Sequence, residues 1–190
     1  MKNTKDVFFT YDFQYGSSSM SENEAWEFLK LPETKTLILS TVDDNLIPHA
    51  TPIYFQIRDN KIYFNAKKDP PKKKLRNILN NPNICLTTDR ILRDGSFFWV
   101  SVIGTAKVIA TEWSTNPQEQ AFIKSFNEGY AQKYRMPTRF NQGPWSDATV
   151  KAMMERIYLE VVPIKILSYD VRKKTDALFD NLTQTPSQST

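Results

Sequence analysis

Along much of the chain, apolar and polar residues alternate with a period of two, which predicts half-buried strands. The segments 34–42 (TKTLILSTV), 47–57, 61–66 (KIYFNA), 84–88 (ICLTT), 97–110 (FFWVSVIGTAKVIA) and 156–171 (RIYLEVVPIKILSYDV) read this way, giving six strands. Pro48 and Pro52 place the second strand at a sheet edge, because proline cannot donate to a ladder. That leaves free backbone groups near Ala50 and Thr51 for a planar ligand. Asp59-Asn60 is a hairpin turn, and Gly104 in mid-strand predicts a bulge or a close backbone approach.

Helical spacing appears in fewer places. Ser21 and Glu24 form a capping box ahead of Trp26, Phe28 and Leu29. Asn116-Pro117 opens an amphipathic helix to about Tyr134, with Phe122, Ile123, Phe126 and Tyr130 as its core stripe. A short helix is expected near Ala148–Met154, after a loop carrying Trp145. Short strands in hairpin succession with few helices predict a small closed or half-closed antiparallel β-barrel with helices outside. The expected organisation is an aromatic-rich N-terminal extension (1–20, with Phe8, Phe9, Tyr11 and Phe13), one barrel domain (21–173) and a C-terminal tail without fixed structure (174–190).

One further helix breaks a local rule. Asp69 as N-cap and Pro70 as first helical residue open it, and Leu75, Ile78 and Leu79 form its apolar face before Asn80-Asn81-Pro82 stops it. Its first turns carry Lys72, Lys73, Lys74 and Arg76, with Lys67 and Lys68 upstream. Cations at the positive end of a helix dipole cost roughly 0.3–1 kcal/mol each. A bound phosphate reverses that sign, because free N–H groups and ammonium groups then converge on it. A solvated lysine face is the plain alternative, and charge alone divides the two readings evenly.

Composition narrows the choice. The net charge is +4, yet residues 67–76 alone carry +5, so the rest of the chain sums to −1. Such a localised charge fits one compact anion better than nucleic acid, whose binders spread cations over a face. Only five glycines are present and no Gly-rich phosphate loop can be drawn. A single histidine, His49, excludes a His-rich metal site, and no metal is expected. The one cysteine, Cys85, reads as a small buried hydrophobe in a chain that can form no internal disulfide. No apolar run reaches membrane-spanning length, so the expectation is a soluble, cytoplasmic protein.

The order of these pieces resembles the flavin-binding split-barrel family related to pyridoxamine 5'-phosphate oxidase. The resemblance runs from about Glu24 to Val171. It rests on LILSTVDDNLIPHATPIYFQIRDNKIYFNA, KKKLRNILNNPNICL, VSVIGTAKVI and YLEVVPIKILSYD, more on their order and spacing than on any one of them. It implies a six-stranded antiparallel split barrel of Greek-key type with peripheral helices, and a homodimer with cofactor at the interface. By the same resemblance, Lys72, Lys73 and Lys74 hold the phosphate of FMN. His49, Ala50, Thr51 and Pro52, then Phe64 and Asn65, lie along its ring and ribityl chain, and Trp99 or residues near it come from across the dimer.

The family oxidase has Arg where His49 stands and Gln where Trp99 stands, and its C-terminal Arg motif is not evident here. The resemblance therefore implies a broader relative, an FMN-dependent oxidoreductase moving a hydride to or from a small-molecule substrate. The alternatives are a reductase using the deazaflavin coenzyme F-420, whose longer anionic tail suits Lys67 and Lys68, or a non-catalytic flavin or haem carrier or ligand-sensing dimer. A nucleic-acid module stands well behind these. His49 is a candidate proton donor with an equally good structural reading.

Overall fold

The structure, a computed structural model, describes residues 20–68, 70–134 and 156–172. The expected N-terminal extension, the Asp69 cap, the loop with Trp145, the helix near 148–154 and the C-terminal tail lie outside these residues. The elements are α1 (Glu22–Lys30), β1 (Leu37–Val42), β2 (Pro48–Ile53), β3 (Gln56–Arg58), β4 (Lys61–Lys67), α2 (Lys73–Asn80), β5 (Asn83–Ile91), β6 (Phe97–Thr111), α3 (Pro117–Tyr134) and β7 (Arg156–Asp170).

Among the described residues, seven antiparallel strands form one sheet in the order β2-β1-β5-β6-β7-β4-β3. One more strand is present than the sequence pattern suggests, because the stretch 47–57 is not continuous. The chain runs along one sheet edge as β2, turns at Tyr54 and Phe55, and joins the opposite edge as β3. The architecture is an α+β split barrel whose two edge strands are not hydrogen-bonded to each other. Pro48 and Pro52 sit on the edge strand, where their missing donors cost no ladder bond.

The corner between the edges is tightly held. Tyr134 Oη accepts from the Phe55 amide at 2.8 Å and donates to the Phe55 carbonyl at 2.7 Å. The Phe55 side chain is buried in the core. Leu37 and Leu39, Ile62 and Phe64, Ile84 and Leu86, Val100 and Val102, and Leu159 and Val161 fill the curled face, with Trp26, Phe28 and Leu29 of α1 and Leu75 and Ile78 of α2. Outside the sheet, Ile123 and Phe126 of α3 cover Tyr63, Ala110 and Tyr158.

Several local expectations hold. Ser21 and Glu24 form the capping box of α1. Asp59 and Asn60 both adopt positive φ, at 49° and 54°, as a tight hairpin turn requires. At Gly104 the β6–β7 register shifts, and a Cβ there would overlap Val162 O and stand 3.1 Å from Pro163 Cα. Cys85 is not a core residue. It faces outward from β5, half-buried, with Sγ 3.5 Å from Thr87 Oγ1.

Candidate functional site: a basic cradle at the start of α2

The helix expected from Asp69 begins three residues later. Pro71 forces Pro70 out of helical geometry, so Pro70 and Pro71 sit in a turn and Lys72 becomes the N-cap. Lysine offers no acceptor, and among the described residues α2 has no side-chain cap and no acidic residue in its first turn. The amides of Leu75 and Arg76 donate to the Lys72 carbonyl at 2.9 and 3.2 Å, which leaves those of Lys73 and Lys74 as the positive end open to a ligand.

The three lysines point to different tasks. Lys73 pairs with Asp43 at 3.2 Å, and Asp43 also accepts from the amides of Asn45 and Ile47, so this lysine ties α2 to the β1–β2 turn. Lys72 is exposed at the helix tip. Lys74 is half-buried, and burial first and the nearby Arg156 second hold its ammonium below the usual lysine range.

Arg156 is the residue the sequence reading missed. It opens β7 directly opposite Lys67 of β4, so two cations face each other across the strand pair. Its Nη1 donates to Asn65 Oδ1 at 2.7 Å. Like charges in register are destabilising, and no carboxylate pairs with Lys67, Lys74 or Arg156 among the described residues. The free N–H groups of α2, Lys74, Arg156 and Asn65 make a donor set that an anion would satisfy.

The remaining candidates divide. Asn65 joins the cradle, whereas Phe64 is wholly buried in the core and could meet a ligand only through its backbone. On β2, His49 and Thr51 lie opposite Thr41 and Leu39, while Ala50 and Pro52 face the exposed side. The buried Asn77 carboxamide of α2 donates to Thr41 Oγ1 at 3.0 Å, and that hydroxyl donates to His49 O at 3.4 Å, which docks α2 against β2. His49 Nδ1 is buried with no hydrogen-bond partner among the described residues.

Trp99 does not join this group within one chain. It pairs with Tyr169, thirteen residues along β7 from Arg156, which is roughly 40 Å of strand path at about 3.3 Å per residue.

The chain is an open antiparallel split barrel with a cluster of cations at the start of α2. The family model for pyridoxamine 5'-phosphate oxidase matches residues 22–158, and the chain belongs to that family. Its fold is similar to that of a conserved hypothetical protein from Mycobacterium tuberculosis, at 20% identity and a TM-score of 0.59 over 90% of this chain and 92% of that one. An FAD-binding protein from Mesorhizobium loti is similar at 14% identity and TM-score 0.60, over 80% and 96% of the two chains. The FAD-binding protein of Mycobacterium smegmatis is similar at 18% identity and TM-score 0.54, over 80% and 98%. No curated protein matches the chain.

Proposed function

We propose that this protein is an FMN-dependent oxidoreductase that moves a hydride to or from a small molecule, working as a homodimer. One observation carries the reading: Lys74, in the first turn of α2, lies close enough to Arg156 to feel its charge, and no carboxylate pairs with either among the described residues. The family match and the flavin-binding names of two similar structures support a flavin as the anion's bearer.

The residues present fit such a group. Lys74, Arg156 and the first N–H groups of α2 would hold the phosphate dianion, with Lys72 adding charge at the mouth. Asn65 holds the Arg156 guanidinium in place at 2.7 Å. The backbone of β2 from His49 to Pro52 offers edge groups to a planar ring, and the unpartnered His49 Nδ1 offers a proton-bearing or proton-accepting atom beside it. When bound, the flavin supplies the hydride chemistry, and the protein supplies orientation, charge and exclusion of water. No side-chain nucleophile is required.

Exposed aliphatic side chains on β1, β6 and β7 (Ile38, Ile103, Val162 and Ile164) support a dimer face. The second copy would then supply Trp99 to the cradle of the first.

The test is native mass spectrometry with visible absorbance on freshly purified protein, followed by calorimetric titration with FMN. A dimer holding one flavin per chain is expected. A colourless protein that binds neither FMN nor inorganic phosphate overturns the assignment. Oxidation of a reduced pyridine nucleotide by the flavin-loaded dimer would separate an enzyme from a carrier.

A further inference from the structure

A second feature uses a separate set of residues. A polar cleft of about 530 Å³ opens between β3 and the C-terminal half of α3, with Lys30, Gln56, Arg58, Glu128, Gly129 and Lys133 on its walls. Its floor is fixed by hydrogen bonds. The buried Gln56 carboxamide donates to Phe126 O and accepts from Arg58 Nη2 at 3.1 Å. Gly129 admits that side chain, since a Cβ there would stand 3.0 Å from Gln56 Oε1. Arg58 is braced over the Phe122 ring at 5.6 Å.

Lys133 is the unusual group. Its Nζ lies 3.5 Å from the Phe55 ring centroid and 5.7 Å from that of Tyr134. No carboxylate pairs with it among the described residues. The charged groups around it are mostly cations. Lys35 donates into the Lys133 carbonyl at 2.9 Å, Arg58 lines the cleft, and Lys30 is paired with Glu27 at 3.0 Å, leaving Glu128 as the one cleft-lining carboxylate among the described residues. Burial, helped by the Lys35 charge, brings the Lys133 amine down to about 8. At neutral pH about one molecule in ten then carries a free lone pair, against roughly one in a few thousand for an ordinary lysine.

A desolvated amine without a counter-ion, inside a cationic cleft, has the properties of a nucleophilic lysine. We propose that Lys133 captures small anionic aldehydes in this cleft as an imine. The Nζ lone pair adds to the aldehyde carbon and the carbonyl π pair moves to oxygen. A proton passes from nitrogen to that oxygen, and loss of water forms the C=N bond, with no oxidant or reductant needed. The guanidinium of Arg58 faces the carboxylate of the bound aldehyde.

Glyoxylate is the probe, trapped with cyanoborohydride on the purified full-length protein at neutral pH and mapped by peptide mass spectrometry. Lys133 should be modified at least about tenfold faster than any other lysine, the gain in free amine outweighing its lower basicity. Propanal, which lacks the carboxylate, should show a much smaller preference. Arg58→Met should slow capture of glyoxylate but not of propanal, and in Lys133→Arg the privileged site should vanish. Labelling of Lys133 at the rate of surface lysines overturns the proposal, as does equal preference for both aldehydes in the unaltered chain. Neither result bears on the flavin assignment, which rests on other residues.

Discussion

Arg156 donates a hydrogen bond to Asn65 Oδ1 at 2.7 Å while standing in register with Lys67, so this cation is held by a neutral partner beside another cation. A neutral acceptor orients the guanidinium without cancelling its charge. The site is thus assembled at some cost to the ligand-free fold, a pattern expected where function overrides local stability.

That cost makes the first prediction one of opposite signs. Lys74→Met should raise the stability of the ligand-free protein by up to about 1 kcal/mol, because a half-buried cation near Arg156 is removed. The same change should weaken FMN binding by roughly 10–100-fold, the loss of one charge-assisted contact. Lys72→Asp should act likewise, adding a cap acceptor worth about 1 kcal/mol while placing a carboxylate at the anion site. Thermal melts with and without FMN, alongside calorimetry, read both signs. A variant that loses stability and keeps its affinity would refute the cradle.

Alkaline pH provides a second prediction. Burial and the Glu160 carboxylate push Tyr63 up to about 12, and burial does the same for Tyr130. Both phenols stay protonated in the folded state when the unfolded chain has already begun to ionise near pH 10. Their contribution is present below about pH 10 and is lost as pH rises towards 12. Tyr130→Phe should therefore flatten the decline in stability over that window. Urea unfolding followed at several alkaline pH values checks this, and an unchanged slope would show that Tyr130 is not shielded.

Two glycines should respond very differently to alanine. At Gly104 the new methyl meets the backbone of Val162 and Pro163, which cannot swing away as a side chain can. Gly104→Ala should cost at least about 2 kcal/mol. Gly95 has φ of 82° but open space around it, so Gly95→Ala should cost only about 1 kcal/mol of backbone strain. Denaturant midpoints of the pair give the comparison.

At the corner between the sheet edges, Tyr134→Phe removes both bonds to the Phe55 backbone and keeps the ring. Leaving that amide and carbonyl unsatisfied should destabilise by about 2 kcal/mol. A loss well below this, measured by chemical unfolding, would mean water replaces the hydroxyl.

Much of the fold was legible because its signals are local. The capping box at Ser21, the left-handed pair Asp59-Asn60, the Asn116 start of α3 and the tight spot at Gly104 each depend on a few neighbouring residues. Other features were hidden by competition or by distance. The Asp69–Pro70 helix start loses to Pro71, which bars helical geometry at the residue before it. The break at Tyr54 was masked because β2 and β3 share one alternating pattern although they belong to opposite edges. Motif position alone suggests a ligand contact for Phe64, whereas its parity on β4 buries its side chain in the core. Arg156 carried no local mark at all. Its significance arises from the β4–β7 register, which brings it to Lys67 and Asn65 from about ninety residues away.

The two-residue corner at Tyr54 and Phe55 has a mechanical consequence. Both margins of the sheet hang from the same short tether, so neither can fray while the other stays still. Amide exchange along β2 and β3 should accelerate in step, as a single hinge loosening, though no ladder bond connects the two.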